Sequence, residues 1–218
     1  EVRREQEAVK RDVEYSQQRL RLRLLERQEQ LMRLARDIAN REVDPRQFEI
    51  RAESLVAQYG ELMALSWIDD RRRVVAVQAS PSVKAARDWM EDGILKPGEV
   101  ESGYGLARDL LQPVYSQPVG VGKAEPILQL HLPITPRGKF AGELVAEYSV
   151  DALLRYGVPA EILAKYAVAL LDSKGQTLAG QSIPDRPGLS EFLPWSGKVN
   201  EFEIPVSPVG NGLVLRAQ

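Results

Sequence analysis

The chain contains no cysteine and a single histidine, His131, in 218 residues. Disulfides, thiolate catalysis and cysteine-ligated metals are therefore excluded, and so is a His-rich metal site or a His–His relay. No apolar run reaches the ~18 residues of a membrane-spanning helix, and no signal-peptide pattern is present. The net charge of −2 gives no electrostatic argument for nucleic acid or an anionic membrane. Catalytic motifs are missing as well. The lone histidine has no recognisable serine partner motif, and no P-loop or GxGxxG fingerprint precedes a helix. Neither catalysis nor a cofactor is expected of this chain. What remains, 44% hydrophobic and 28% charged residues, is ordinary for a globular protein of one large or two small domains.

Residues 1–40 hold no Gly or Pro and many Glu, Arg, Gln and Leu, which predicts one long helix. Val2, Val13, Leu24 and Ala35 recur every eleven residues, as do Val9, Leu20 and Leu31, with Gln6, Gln17 and Gln28 filling the third seam position. An eleven-residue period favours a nearly straight helix pair over a left-handed coiled coil. The first half is polar all round, so it is expected to project and pair with a second copy, making the chain a homodimer. A second helix is signposted by Asp44 as N-cap, Pro45 at the first position and Gln47 completing a capping box. A hairpin follows at 61–80, short helices are expected near 83–91 and 104–111, and the chain ends in two further hairpins.

The most sustained apolar stretch is 126–149, read as two strands and a Pro-Gly turn. Leu128, Leu130, Leu132 and Ile134 form one apolar face, and Phe140, Gly142, Leu144, Ala146 and Tyr148 the matching one. Placing both against the long helix requires Ile134 opposite Phe140, and hence His131 opposite Glu143. Gln129, His131, Glu143, Val145 and Glu147 then share the second face.

An internal repeat organises the rest. Residues 64–79 lie over 167–182 without gaps, matching at Ala64/Ala167, Asp69/Asp172, Ala76/Ala179 and Gln78/Gln181, and 132–138 lie over 204–210. The first copy is longer by roughly 30 residues between its hairpins. An insertion of that size must cover one sheet face, and a covered face is where a small-molecule pocket forms.

A long helix, a larger PAS-like module, a linking helix and a smaller PAS-like module, with GLARDLLQPVYSQP followed by GKFAGELVAEYSVDALL, resemble the double Cache sensor region of bacterial transmembrane histidine kinases. The resemblance implies an α+β fold divided into a signalling helix (1–43), a membrane-distal ligand-binding module (44–157) and a membrane-proximal module (158–218). It implies a periplasmic location, flanking membrane spans that would account for both ends of the chain, and a kinase output. The alternatives are the input domain of a chemoreceptor or diguanylate cyclase, or a ligand-free interaction module.

The expected ligand is an organic acid, amino acid or amine. In such domains Glu147 would stand where amino-acid-binding members carry an aspartate that meets the ligand's ammonium group. Trp89, in Arg87-Asp88-Trp89-Met90, is similar to part of an Arg-x-Trp-Tyr element of those members, with Met90 in place of the tyrosine. Tyr104 and Arg108 are four apart on one helix face and, with Tyr115, could present a cation and aromatic faces. Gln129 and His131 complete the candidate set. His131 reads either as a satisfied structural residue or as a ligand contact whose near-neutral pKa would make binding pH-sensitive. Glu143, nearer the turn, reads as solvated, as does the run Arg71–Arg73 at a hairpin tip.

Overall fold

The computed structural model describes residues 1–81, 90–91, 93–95, 99–118, 125–183, 201–206 and 212–218, without the side chains of 90, 91, 95 and 99–101. Helix α1 spans Val2–Ala39 and α2 spans Pro45–Gln58. The α2 start follows from its sequence. Asp44 accepts from the Gln47 backbone N–H at 2.8 Å, and the Gln47 side chain accepts from the Asp44 N–H at 2.9 Å.

Strands β1 (Leu62–Asp69), β2 (Val74–Ala79), β3 (Met90–Glu91) and β4 (Ile94–Leu95) precede helix α3 (Glu99–Leu110). The Met90–Glu91 pair is therefore strand, where helix was expected, and residues 83–89 of that expectation lie outside the described residues. Strands β5 (Val114–Tyr115), β6 (Ile127–Pro133) and β7 (Gly142–Ser149) follow. Helices α4 (Val150–Gly157) and α5 (Ala160–Lys165) lead to β8 (Val168–Leu171), β9 (Thr177–Gly180), β10 (Phe202–Pro205) and β11 (Val214–Ala217).

The chain forms two compact units, Leu24–Ala152 and the combination of Glu1–Arg23 with Leu153–Gln218. The first unit is built on an antiparallel sheet of order β2-β1-β7-β6-β5. Helix α2 buries Phe48, Ala52 and Val56, and Phe48 meets Trp67 of β1 edge-to-face at 5.8 Å. The second unit has a four-stranded sheet of order β10-β11-β8-β9.

With β8, β9, β10 and β11 standing for β1, β2, β6 and β7, the second sheet repeats the first without its β5 edge. Of the matched segments, 64–79 and 167–182 hold the β1–β2 and β8–β9 pairs, and 132–133 and 204–205 close β6 and β10. Their turns are built alike. Asp69 Oδ1 accepts from the N–H groups of Arg71 and Arg73, both at 2.9 Å, and Asp172 Oδ1 from those of Lys174 and Gln176 at 2.9 and 2.8 Å. Arg72 (φ +65°) and Gly175 (φ +80°) occupy the same left-handed position.

From Val9 onward the eleven-residue seam turns into the chain's own fold, while Val2 stays exposed. Val9, Val13, Leu20, Leu24, Leu31 and Ala35 are all buried within the chain. In the second unit Gln17 donates to the Pro205 carbonyl at 3.1 Å, Asp12 accepts from the Tyr166 hydroxyl at 2.9 Å, and Leu20 packs on Gly157 so tightly that a Cβ there would lie 2.6 Å from its Cδ1. Sequence polarity was misleading at Gln17, a polar seam residue that is buried and bonded inside the fold.

Candidate functional site

Strand pairing defines the two faces of the five-stranded sheet, since residues directly opposite one another point the same way. In β6–β7 the pairs are Gln129 with Glu147, His131 with Val145 and Pro133 with Glu143. In β1–β7 they are Ala64 with Glu147, Ser66 with Val145 and Ile68 with Glu143. Gln129, His131, Glu143, Val145 and Glu147 therefore share a face, joined by Ser66 and Ile68.

The register differs from the expected one by two residues. The 3₁₀ turn Pro136–Gly138 and a positive φ at Arg137 (+53°) lengthen the connection, and Ile134 bonds Gly142 and Ala141 rather than Phe140. A two-residue shift keeps every side chain on its face. Phe140 is the exception. It lies before β7, where Gly142 adopts φ +130° against the Ile68 carbonyl, and its ring meets Tyr104 edge-to-face at 5.6 Å. It thus belongs with the second face.

Helix α3 covers this face. Tyr104 packs with Ile68 and Val145, and its hydroxyl donates to the Asp69 carbonyl at 2.6 Å. Burial, with Glu143 and Asp69 nearby, holds the Tyr104 phenol far above its ordinary pKa. Gly103 rests directly on the His131 ring, whose Cε1 would lie 3.0 Å from a Cβ at that position. The absence of a side chain is what lets α3 sit this close.

Beneath Gly103, His131 Nδ1 and Glu143 Oε1 are 2.6 Å apart and both side chains are fully buried. Glu143 is not solvated, contrary to expectation. Burial pushes its carboxyl up to about 9, opposed weakly by Arg108, and pushes the His131 imidazole down to about 4. At neutral pH both groups are uncharged. With both groups neutral, the 2.6 Å contact is a hydrogen bond in which the Glu143 acid would donate to Nδ1, leaving the ring hydrogen on Nε2. The histidine thus does not titrate near neutrality, because it is desolvated on every side.

Several polar atoms on this face are buried with no hydrogen-bond partner among the described residues: both amide atoms of Gln129, His131 Nε2, Glu143 Oε2 and Ser66 Oγ. Glu147 is also buried. Ser66 was not picked out from the sequence, although a lone hydroxyl within LMALSWID was a signal; Gly103 gave none without a structure.

The remaining candidates divide. Arg108 is exposed and pairs with Asp109 at 3.1 Å, but its charge reaches Tyr104 and Glu143, placing it at the rim. Tyr115 stands opposite Leu130 on the other face, close enough to Tyr148 to influence its phenol. The expected grouping of Tyr115 with Tyr104 and Arg108 therefore does not occur, because β5 presents Val114 rather than Tyr115 beside His131. Trp89 lies outside the described residues. Arg71, Arg72 and Arg73 are exposed, as expected.

No family model matches the chain, and no curated protein matches it. Solved structures do. The ligand-binding domain of the Campylobacter jejuni chemoreceptor Tlp3 in complex with 4-methylisoleucine is similar at 11% identity, over 99% of this chain and 90% of that one, with a TM-score of 0.61. The ligand-binding domain of the Pseudomonas aeruginosa amino-acid chemoreceptor PctC in complex with GABA is similar at 15% identity, over 97% and 98%, with a TM-score of 0.59. That of the Pseudomonas fluorescens chemoreceptor CtaA in complex with L-isoleucine follows at 17% identity, over 81% and 68%, with a TM-score of 0.57. This α+β chain has the fold of bacterial chemoreceptor ligand-binding domains.

Proposed function

We propose that the α3-covered face binds a small polar molecule and that the chain is the extracytoplasmic sensor region of a membrane-anchored receptor. The carrying observation is the set of orphaned polar atoms at Gln129, Glu143 and Ser66. Buried polar groups are almost always hydrogen-bonded, and an unmet group costs about 1–3 kcal/mol. The orphans include donors and acceptors, so the fitting ligand carries both, as an amino acid or amine does. Solved domains of the same fold are complexes with amino acids and GABA, which supports that class over a simple organic acid.

Binding would add contacts between α3 and the sheet and bias the chain toward one of two pre-existing arrangements. The chain itself performs no chemistry in this reading. Its pattern and order of elements support a double Cache region in the periplasm, held by flanking spans, with a histidine kinase as output. A chemoreceptor output is the second reading, favoured by the kind of protein that shares the fold; the parent gene sequence distinguishes them. A thermal-shift screen of amino acids, amines and small acids tests the binding reading. A saturable stabilisation that is weakened by Glu147→Ala supports it, and no stabilisation by any compound refutes it.

A further inference from the structure

Glu143 stands at one end of the α3-covered face and Gln129 at the other. Their rows across the sheet, Pro133–Glu143–Ile68 and Gln129–Glu147–Ala64, lie about 13 Å apart along β7 at ~3.3 Å per residue. The row His131–Val145–Ser66 runs between them. Each row carries a fully buried polar group with an atom unmet among the described residues: Glu143 Oε2, the Ser66 hydroxyl and the Gln129 amide. Glu143 Oε1 is committed to His131 Nδ1 at 2.6 Å, so Oε2 is the atom this carboxyl offers. The titratable groups around it are Tyr104 and Arg108 on α3, Asp69 and Asp70 at the β1–β2 turn, and Glu147 on β7. From β5, Val114 stands beside His131. Among these described groups Arg108 is the one cation, and it is exposed and paired with Asp109 at 3.1 Å. A buried charge is tolerated only when it is paired. Here a ligand carboxylate would meet mainly acids, whereas an ammonium would meet an acceptor.

Resting on the binding reading above, we infer that the ligand is an amine without a carboxylate. Its ammonium pairs with Glu143 Oε2, its other polar end reaches the Gln129 amide, and its binding expels one proton from the Glu143–His131 pair. The proton balance follows from the geometry. The free pair holds two exchangeable hydrogens, one shared between Glu143 Oε1 and His131 Nδ1 and the other on Nε2. In the bound state the shared hydrogen belongs to Nδ1, which donates to the Glu143 carboxylate. The Nε2 hydrogen, which faces Gly103 and has no acceptor among the described residues, leaves to solvent. One positive charge enters as one proton departs, so the buried net charge is unchanged. Without ligand the acid keeps its proton up to about 9, while a free alkylamine, like lysine, stays protonated to about 10. The bound state thus holds one proton fewer, and affinity rises about tenfold per pH unit between pH ~6 and ~8.

Titration calorimetry on refolded chain with matched pairs tests this: cadaverine against lysine, putrescine against ornithine, ethanolamine against serine. Each pair differs by the carboxylate alone. The best-bound amine should bind about tenfold or more tighter than its amino acid. Repeating the titration in buffers of different ionisation heat should show about one proton released per amine near pH 7, with the tenfold-per-unit rise in affinity. Glu143→Gln, which keeps the side chain's shape but has no acid proton, should weaken amine binding and abolish both the proton release and the pH dependence. The wild-type measurements decide the question by themselves if that variant does not fold. An amino acid bound as tightly as its amine, amine binding without proton release, or release unchanged in Glu143→Gln would each overturn the proposal and leave the binding reading standing. Failure of every compound to bind would overturn both.

Discussion

Replacing Gln129 by methionine separates a binding face from a merely buried one. Methionine follows the same unbranched path but removes the two orphaned amide atoms. Each unmet buried group costs about 1–3 kcal/mol, and replacing a polar group by an apolar one of the same shape recovers that cost. Relaxation shared between the two atoms keeps the net gain at about 1–3 kcal/mol. For a chain of this size ~1 kcal/mol moves Tm by about 2–4 °C, so the ligand-free variant should melt several degrees higher than wild type. The same change should abolish stabilisation by a compound that binds wild type, a shift worth about 2.7 kcal/mol at a hundredfold excess over Kd. Calorimetry on chain refolded from denaturant, which strips any bound molecule, measures both. A Gln129→Met chain that is less stable than wild type would refute the reasoning, since the amide would then be satisfied in the free protein. So would a ligand-induced shift that survives the substitution.

The buried His131–Glu143 pair makes a pH prediction with a definite sign. Glu143 keeps its proton in the folded state up to about 9, so its contribution falls as pH rises from the unfolded carboxyl value, by up to about 1.4 kcal/mol per unit. His131 stays neutral down to about 4, so its contribution rises with pH until the unfolded imidazole value of about 6.5. The two cancel between ~4.5 and ~6.5; above that, stability measured by urea titration should fall in wild type, and Glu143→Gln should remove that fall. Gly103→Ala should destabilise by about 1–3 kcal/mol through overpacking on the imidazole, and the cost should largely vanish in a His131→Ala background; equal costs in both backgrounds would contradict the contact. Asp69→Ala and Asp172→Ala should each cost about 1–2 kcal/mol, because each carboxylate serves two backbone N–H groups; a cost at only one would break the equivalence of the two turns.

The face occupied by each central side chain was legible because strand alternation survives a two-residue register error. Gln129, His131 and Glu147 could be placed together without knowing the turn. The register itself was not legible, since it depends on the left-handed Arg137 and the positive φ at Gly142, which composition does not reveal. Phe140 and Tyr115 were misassigned for related reasons: one precedes its strand, and the other sits on a two-residue edge strand with no alternation to read. The burial of Glu143 depended on α3 settling onto His131 through Gly103, a long-range contact. In α1 the eleven-residue seam was visible, but its partner was not. Periodicity identifies a buried face without saying whether the same chain or another one covers it.

The most direct test of ligand binding beneath α3 is a crystal structure of the chain with whichever amino acid or amine stabilises it most. The expected result places that molecule on the face shared by Ser66, Gln129 and Glu147, with one of its polar atoms within ~3 Å of the Gln129 amide. A molecule bound on the Leu128–Tyr148 face or in the second unit, with the Gln129 amide still unpartnered, would contradict it.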